Sequence, residues 1–379
     1  MRIFFITHTY SLDGSGGGEQ FVSNFLKAMK KKGHEIFVFA PGGKEFRKKE
    51  KKLGINVYHC PTFGHHALHK FEYALLFWKA ASLAREFKPD VIHAQNDAFP
   101  GLIGHFAKLA THKPLLIAVE YLSEQAVSLN LKAVFAINKF LLPKLNFDAI
   151  VSWSNFVVDK FFLPWGIPKR KTHIIPGAVD VEKFSKKTKP HTLLASKGKN
   201  WIVSAKPLHS TNAAGISYIV KALPPVLKKH PEWKYAIVGE GQSKPTLQKL
   251  VKGLKLENKV FFFGEIPSNQ IPSIYAAADI VAHSFAFKAT TSIALMESMA
   301  AGKAIVATAS GEVAPTVGKT ALLPRQKDEK SIGQALNKLI ENPSLRKELG
   351  RKAKQRAKRL YSIDSIAGQF EKIYSNLQN

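Results

Sequence analysis

The sequence predicts two α/β domains, each a doubly wound parallel sheet with helices on both faces. Two series of short apolar strands alternate with helices, and a stretch rich in Lys, Thr, Ser and Gly at 185–200 separates them. The 379 residues exceed one usual domain, and 45% hydrophobic residues with 26 Phe suffice for two cores. We predict domains at 1–184 and 185–361, with a C-terminal helix at about 362–379 that could pack back on the first.

The first series contains short apolar runs bounded by turn residues, which are typical of buried strands. The opening segment MRIFFITHTY is one of them, because its apolar run is too brief for a secretory signal. A glycine-rich turn and an amphipathic helix near 19–32, ended by Gly33, follow it. Further helices are predicted near 71–87, near 101–110 and before the last strand. The strands are predicted at Ile3–Thr7, Glu35–Ala40, Asn56–His59, Val91–His93, Leu115–Val119 and Ala149–Trp153.

The second series has the same alternation after the predicted linker. Its strands are predicted at Trp201–Ser204, Lys234–Val238, Val260–Phe263, Ile280–His283 and Ala304–Ala307. Its helices are predicted near 215–229, after Pro245, near 268–278, after Ser292, and near 331–342 and 344–361. Ligands of open parallel sheets bind beyond the carboxyl ends of the strands, so a central cleft between two facing domains is the expected site.

The segment from Phe285 to Thr308 has the strongest local signal for a ligand. Thr291 and Ser292 are good helix N-caps, the following residues are mostly apolar, and Gly302 stands where the helix would end. A helix start at the carboxyl edge of a sheet presents free N–H groups and a positive dipole end to an anion. An ordinary helix–strand unit has the same pattern, so this segment alone does not establish a phosphate site.

The net charge of +28 is the second strong observation, with basic runs at 27–32, 47–52, 169–171 and 346–359. Such a field attracts nucleic acid, anionic lipid headgroups or phosphorylated small molecules without choosing among them. Each run by itself is typical of a solvated helix face. The single cysteine, Cys60, excludes an internal disulfide and a cysteine zinc site, and it fits a cytoplasmic protein. No apolar run reaches the roughly 18 residues needed to span a bilayer.

Several segments, each weak alone, together resemble one family in their order and spacing. They are Gly16-Gly17-Gly18-Glu19 with Lys32-Gly33-His34-Glu35, Lys88 to Ala94 (KPDVIHA), Ile175 to Asp180 (IPGAVD) with Phe184, Ala236 to Gly241 (AIVGEG), Val260 to Pro267 (VFFFGEIP) and Ile274 to Ile280 (IYAAADI). Along nearly its whole length the chain resembles the GT-B-fold retaining glycosyltransferases of the family 4 (glycosyl transferases group 1) type.

The resemblance implies an enzyme that moves a hexose from a nucleotide-diphosphate sugar to a lipid-linked or saccharide acceptor, with the anomeric configuration retained. The donor would lie on the second domain and the acceptor mostly on the first. There is no Asp-x-Asp pair, His-Glu-x-x-His helix or Walker loop, so no metal or other cofactor is expected. The donor-binding residues that the resemblance implies are Gly16, Gly17, Gly18, Glu265, Ile266, Thr290, Thr291, Ser292 and Glu297.

The chain departs from the family pattern at several polar positions. Ala289 stands where the family has its first acid, Ala214 where it has a basic residue before Gly215, and Ala205-Lys206 where it has Gly-Arg. Glu120 replaces a histidine. As an enzyme, the chain would use Lys206 to neutralise the leaving diphosphate and Glu120 to orient the donor sugar or the acceptor hydroxyl.

Two alternatives to an active enzyme follow from these departures and from the charge. The chain could be a catalytically degenerate GT-B scaffold that serves as a binding or partner subunit. Nucleic-acid binding is not expected, because no recognised module accompanies the charge. A further question is the membrane: Ala126–Leu145 and Phe71–Trp78 could dock on anionic lipid at the inner membrane face as interfacial helices, or pack in the core of the first domain.

Overall fold

The structure is a computed structural model that describes residues 1–7, 17–41, 49–52, 54–60, 70–119, 129–185, 188–287 and 292–378. The chain divides into two compact units. The first comprises Met1–Gly177 and Ile363–Asn379, and the second comprises Ala178–Ser362, whereas the sequence placed the divisions after residues 184 and 361. Among the described residues, no helix is both long enough and apolar enough to cross a bilayer.

The first unit contains an eight-stranded sheet in the order β3-β4-β2-β1-β5-β6-β7-β8. Every pair of neighbouring strands is parallel except β3 and β4, which pair antiparallel. The chain moves to one side of β1 and then to the other, so the order reverses between β1 and β5. The strands are β1 Arg2–Thr7, β2 Glu35–Pro41, β3 Lys49–Lys52, β4 Ile55–Cys60, β5 Val91–Asn96, β6 Leu115–Val119, β7 Ala149–Ser152 and β8 Thr172–Ile174.

Helices cover both faces of this sheet. They are α1 Gly17–Lys31, α2 Lys70–Phe87, α3 Ala98–Thr111, α4 Leu129–Leu141, α5 Asn155–Val157, which continues as a π-helical turn at Val158–Phe162, and α15 Ile363–Gln378. The side chains of β5 alternate between the faces: Ile92 and Ala94 lie in the core cluster with α2 and α3, while His93 packs against Phe25 of α1 and Phe370 of α15. The C-terminal helix therefore belongs to the first unit.

His93 ties α15 to the sheet. Its Nε2 donates to Gln95 Oε1 at 2.7 Å, so its Nδ1 accepts from the Tyr374 hydroxyl. Burial lowers the pKa of His93 to about 3. Near the surface, Glu371 accepts from Lys32 Nζ at 2.6 Å and pairs with His34 Nε2 at 2.7 Å.

The second unit is a five-stranded parallel sheet in the order β11-β10-β9-β12-β13, which reverses between β9 and β12. Core clusters lie on its two faces. The strands are β9 Trp201–Ala205, β10 Lys234–Val238, β11 Val260–Phe262, β12 Ile280–His283 and β13 Ala304–Ala307. The helices are α6 Val181–Ser185, α7 Thr192–Ala195, α8 Ser210–Lys229, α9 Lys244–Gly253, α10 Ile271–Ala277, α11 Ile293–Ala300, α12 Val313–Val317, α13 Glu329–Ile340 and α14 Pro343–Leu360.

The predicted fold class is confirmed, and the structure corrects three details of the sequence reading. Part of the basic run at 47–52 is the antiparallel strand β3 rather than a solvated helix face, and β8 was not predicted. Both are short edge strands without a buried apolar row, so neither has a strand periodicity to detect. The described part of the predicted linker packs on the second unit, where Leu194 is buried and its carbonyl accepts from Trp201 Nε1 at 3.2 Å.

Candidate functional site

The candidate site lies in the second unit at the carboxyl ends of β9 and β12, where the strand order reverses. This position is the usual ligand site of an open parallel sheet. Main-chain bonds fix the loops there: Lys206 N donates to Val238 O at 2.9 Å, and Thr308 N donates to His283 O at 3.0 Å. The turn after β12 is held by Phe285 N, which donates to Thr308 Oγ1 at 2.9 Å.

Lys206 follows β9 and is buried, with 7% of its surface exposed. Its Nζ has no hydrogen-bond partner among the residues that the structure describes, and it lies 3.8 Å from the centroid of the Phe285 ring. The ring supplies a cation–π contact, which compensates only part of the lost hydration. Burial lowers the pKa of Lys206 from its ordinary 10.5 to about 7. The position of the Lys206 ammonium therefore favours the binding of an anion beside it.

His283 ends β12 and Ser284 follows it, both on the side of Lys206, and the sequence pattern predicted no role for either. Ser298 Oγ donates to Leu295 O at 2.7 Å, so the 3.2 Å contact with His283 Nε2 has the imidazole as donor. His283 Nδ1 is then an acceptor, and within the described residues it has no partner. Burial, followed by the charge of Lys206, holds the pKa of His283 well below its usual value. Ser284 Oγ is likewise buried without a partner in the described structure.

Gly215 allows α8 to approach this edge of the sheet closely. A Cβ on Gly215 would lie 2.0 Å from the carbonyl oxygen of Ser284. The helix can therefore pass β12 only because this position lacks a side chain. On the opposite side of β9, Gly239 has a φ of +138°, and a Cβ there would lie 2.0 Å from the Lys206 carbonyl oxygen.

The start of α11 agrees with the helix predicted from the sequence. Ser292 is the N-cap and accepts from Leu295 N at 3.4 Å, which leaves the N–H groups of Ile293 and Ala294 without a partner inside the helix. Because α11 follows β12, its N-terminus lies at the carboxyl edge of the sheet. Thr290, Thr291 and Ala289 lie outside the described residues.

Glu297 lies in α11 at the turn after the cap and is partly buried. Burial raises the pKa of Glu297 to about 7, and the positive charge of Lys183 in α6 opposes this shift. The Tyr275 hydroxyl of α10 donates to Ala294 O at 3.2 Å, and Glu297 adds to the burial that raises the pKa of Tyr275. The carboxyl group can therefore donate or accept a hydrogen bond near neutral pH.

The remaining sequence candidates fall in three places. Glu265 and Ile266 follow β11 at the same edge of the second sheet, Glu265 exposed and Ile266 packed on the core. Gly17 and Gly18 form the first turn of α1 in the first unit rather than a turn before it. Glu120 and Gly16 lie outside the described residues. The structure thus places Lys206, Ser292, Glu297, Glu265 and Ile266 at the carboxyl edge of one sheet.

The first unit has a polar pair at the corresponding point of its own sheet. Thr7 ends β1 and Asn96 ends β5, and Thr7 Oγ1 donates to Asn96 Oδ1 at 2.7 Å. Asn96 has a φ of +103°, a conformation that costs free energy for any residue except glycine. A strained polar residue at a strand-order reversal is typical of a ligand site.

Two family models match the chain in succession. Glycosyltransferase Family 4 matches residues 15–183, and Glycosyl transferases group 1 matches residues 185–356. An uncharacterised glycosyltransferase of Methanocaldococcus jannaschii is 27% identical over 98% of this chain and 97% of the relative.

Another relative and a solved structure extend the comparison. The N-acetylgalactosamine-N,N'-diacetylbacillosaminyl-diphospho-undecaprenol 4-alpha-N-acetylgalactosaminyltransferase of Campylobacter jejuni is 26% identical over 92% of this chain and 93% of the relative. The crystal structure of Anabaena HepE in complex with UDP matches 99% of this chain and 100% of that protein, with a TM-score of 0.75 and 19% identity. At that identity, the likeness supports the fold alone.

Proposed function

Because this chain belongs to the GT-B glycosyltransferases of the family 4 type, we propose that it transfers a hexose from a nucleotide-diphosphate sugar to a lipid-linked or saccharide acceptor with retention of configuration. The observation that carries the proposal is the buried Lys206 Nζ, which has no hydrogen-bond partner in the described residues and lies at the strand-order reversal of the second sheet. A buried unpaired cation destabilises the folded protein unless an anion binds beside it and pairs with its charge.

The diphosphate of the donor is the anion that fits this position. Lys206 and the N-terminus of α11 both offer positive charge at the same edge of the sheet. As the glycosidic bond breaks, negative charge grows on the leaving diphosphate, and these fixed groups stabilise it without reorganising. An anion beside Lys206 would also raise its pKa, so donor binding and protonation of Lys206 favour each other.

Other side chains at the carboxyl edge of the second sheet could contact the nucleoside part of the donor. We propose that Glu297 accepts hydroxyl hydrogen bonds from the nucleotide ribose and that Glu265 and Ile266 contact the base. His283 Nδ1 and Ser284 Oγ are further buried polar atoms that a bound ligand can satisfy. We also propose that the reaction uses no metal, because the sequence has no Asp-x-Asp pair of the kind that metal-dependent transferases use.

For the acceptor, we propose the first unit. The carboxyl ends of β1 and β5, with Thr7 and the strained Asn96, form its candidate contact. Glu120 follows β6, and we propose that it orients the acceptor hydroxyl or the donor sugar. The Campylobacter jejuni relative is named for a lipid-linked saccharide acceptor, which supports the same acceptor class here.

A donor screen tests the proposal directly. Among UDP- and GDP-sugars, one is expected to release its nucleotide in the presence of acceptor, and calorimetry should detect binding of the matching nucleoside diphosphate. Glu297→Gln should weaken that binding about tenfold, because one charge-assisted hydrogen bond to the ribose is lost. Glu232→Gln changes an exposed glutamate of the same unit and is the matched control. If no nucleotide binds and none is released, the chain is a degenerate scaffold instead.

We also propose that the first unit docks on an anionic membrane, at its cytoplasmic face. The apolar face of α4, defined here as Val134, Ile137 and Phe140, is exposed, with Phe140 at 63%. These residues follow each other every three positions, so they lie on one side of the helix. On α2, Leu75 and Trp78 are also exposed, Trp78 at 65%. The core-packing alternative therefore does not account for these side chains.

Lysines accompany the apolar face of α4. Lys132 and Lys139 are exposed on the same helix, and Lys144 Nζ lies 3.2 Å from the centroid of the Phe140 ring. Apolar side chains with basic neighbours are typical of helices that lie in the headgroup region of anionic bilayers.

Cosedimentation with phosphatidylglycerol-containing vesicles tests this docking. The wild type is expected to bind at low salt and to dissociate as salt rises. Phe140→Ser should weaken binding by about tenfold to a hundredfold, since an inserted Phe contributes about 1.5–3 kcal/mol. Leu193→Ser removes an exposed apolar side chain from the second unit and should change nothing. Equal vesicle binding by both variants would contradict the proposal.

A further inference from the structure

An open groove of about 530 Å³ lies in the second unit, between α14 and the turn that follows α12. Lys319 and Thr320 line it from the turn, and Lys352, Gln355, Arg356 and Arg359 line it from α14. Among the residues that the structure describes, the lining therefore contains four cationic side chains and no carboxylate. Its volume is within the range of small-molecule sites.

The geometry of α14 explains why the cations converge. Lys352, Arg356 and Arg359 are separated by four and three residues, so they lie on one side of the helix. Arg356 is fixed by main-chain carbonyls: Nε donates to Thr316 O at 2.8 Å, and Nη2 donates to Pro315 O at 2.7 Å. Carbonyl oxygens orient the guanidinium without neutralising its charge, which keeps this wall of the groove electropositive.

Two carboxylates lie near the groove. Glu348 pairs with Lys352 at 2.5 Å, one turn back on α14. Glu312 is the second: burial raises the pKa of Tyr361, whose hydroxyl donates to Thr316 O, and the charge of Glu312 adds to this rise. Neither residue belongs to the lining. Among the described lining residues, Lys319, Arg356 and Arg359 therefore contribute positive charge, while Glu348 just outside the lining offsets part of the charge of Lys352.

The groove is separate from the candidate donor site. Leu322 lies beside β13, where Leu322 N donates to Ile305 O at 2.9 Å and Ala307 N donates to Leu322 O at 3.0 Å. The alignment is parallel, so Thr320, two residues earlier, lies near the amino end of β13. The donor site is at the carboxyl ends of β9 and β12, so the two sites are at opposite ends of the strands.

We propose that this groove binds a phosphate-bearing anion in addition to the donor diphosphate. Arginine guanidinium and lysine ammonium groups are the side chains that bind phosphate, and the positive charge that converges on the groove would attract an oxygen-rich anion. The proposal goes beyond the transfer reaction and assigns the second unit a second anion site. The phosphate can belong to a soluble metabolite or to a lipid headgroup, and the test separates these sources.

The test compares two double variants of the full-length protein. Lys319→Ala with Arg359→Ala removes one cation from each wall and leaves Arg356, which holds the end of α12, intact. The control, Lys347→Ala with Lys358→Ala, removes two exposed lysines from the same helix outside the groove. Calorimetry with inorganic pyrophosphate is run with the donor site saturated by the nucleoside diphosphate that the donor screen identifies, and cosedimentation is run with phosphatidylglycerol vesicles.

The groove variant is expected to bind pyrophosphate at least about tenfold more weakly than the wild type, and the control to bind it nearly as the wild type does. If vesicle binding instead falls in the groove variant alone, the anion is a lipid headgroup and the site stands. Equal binding of both probes by the two variants overturns the proposal. Failure of the donor proposal would appear separately, as a wild type that binds neither UDP nor GDP.

Discussion

Lys206→Met is expected to stabilise the protein at neutral pH and to lower transfer activity at least about a hundredfold. The activity falls because Met supplies no charge for the leaving diphosphate, and single electrostatic groups of this kind are worth about 10²–10³ in rate. The stability rises because a buried ammonium with no hydrogen-bond partner in the described residues is replaced by an apolar side chain of similar length.

The stabilisation should depend on pH in a defined direction. The folded-state pKa of Lys206 is about 7, below the ordinary 10.5. Between these values the unfolded chain binds more protons, so wild-type stability rises with pH through this window. Below pH 7 the full cost of the buried charge is present, and Lys206→Met should be more stable by about 2–4 kcal/mol. The advantage should shrink as the pH approaches 10.5.

Urea denaturation of both proteins at pH 6.5 and pH 9.5, with nucleotide release measured alongside, checks this expectation. Lys228→Met is the matched control, because Lys228 is an exposed lysine of the same unit. It should change neither stability nor turnover appreciably. A Lys206→Met protein with wild-type turnover would remove Lys206 from the catalytic site, and a stability difference independent of pH would contradict the buried charge.

Gly215→Ala is expected to destabilise the second unit by about 3 kcal/mol or more. Helix propensity alone would favour Ala at this position of α8 by about 1 kcal/mol. However, the added Cβ would lie 2.0 Å from the Ser284 carbonyl oxygen, and main-chain atoms cannot rotate away as a side chain can. The end of β12 must therefore shift, and donor binding should weaken with it because β12 carries His283.

Gly253→Ala provides the control for this substitution. Gly253 ends α9, and a Cβ there would have no other atom within 4 Å. The same methyl group should leave the urea midpoint nearly unchanged at this position. If the two alanine variants unfold at the same urea concentration, the close approach of α8 to β12 is not rigid, and Gly215 has no special structural role.

The fold could be predicted from the sequence because most of its strands are buried and therefore appear as apolar runs. Strands such as β6 and β13 are continuous apolar runs, and this pattern leaves few alternatives. The edge strands β3 and β8 contain mainly polar residues, and they exist because their backbones pair with a neighbour, which no side-chain pattern reports.

The candidate site was predicted in part, for a related reason. Lys206 could be placed because it directly follows a buried strand, and Ser292 because it occupies the cap position of a recognisable helix. His283 was predicted only as the end of a strand. The proposed role of His283 depends on the hydrogen bond between its Nε2 and Ser298 and on the burial of its Nδ1. Tertiary packing determines both features, so the sequence does not report them.

The discontinuous first unit has a consequence for biosynthesis. All residues of the second unit, Ala178–Ser362, are translated before the helix that fills the space against Phe25 and His93. Domains generally fold as units while the chain is being made. The first unit is therefore begun first and completed last, and until α15 is made, the nascent sheet has one face that only α1 covers in part.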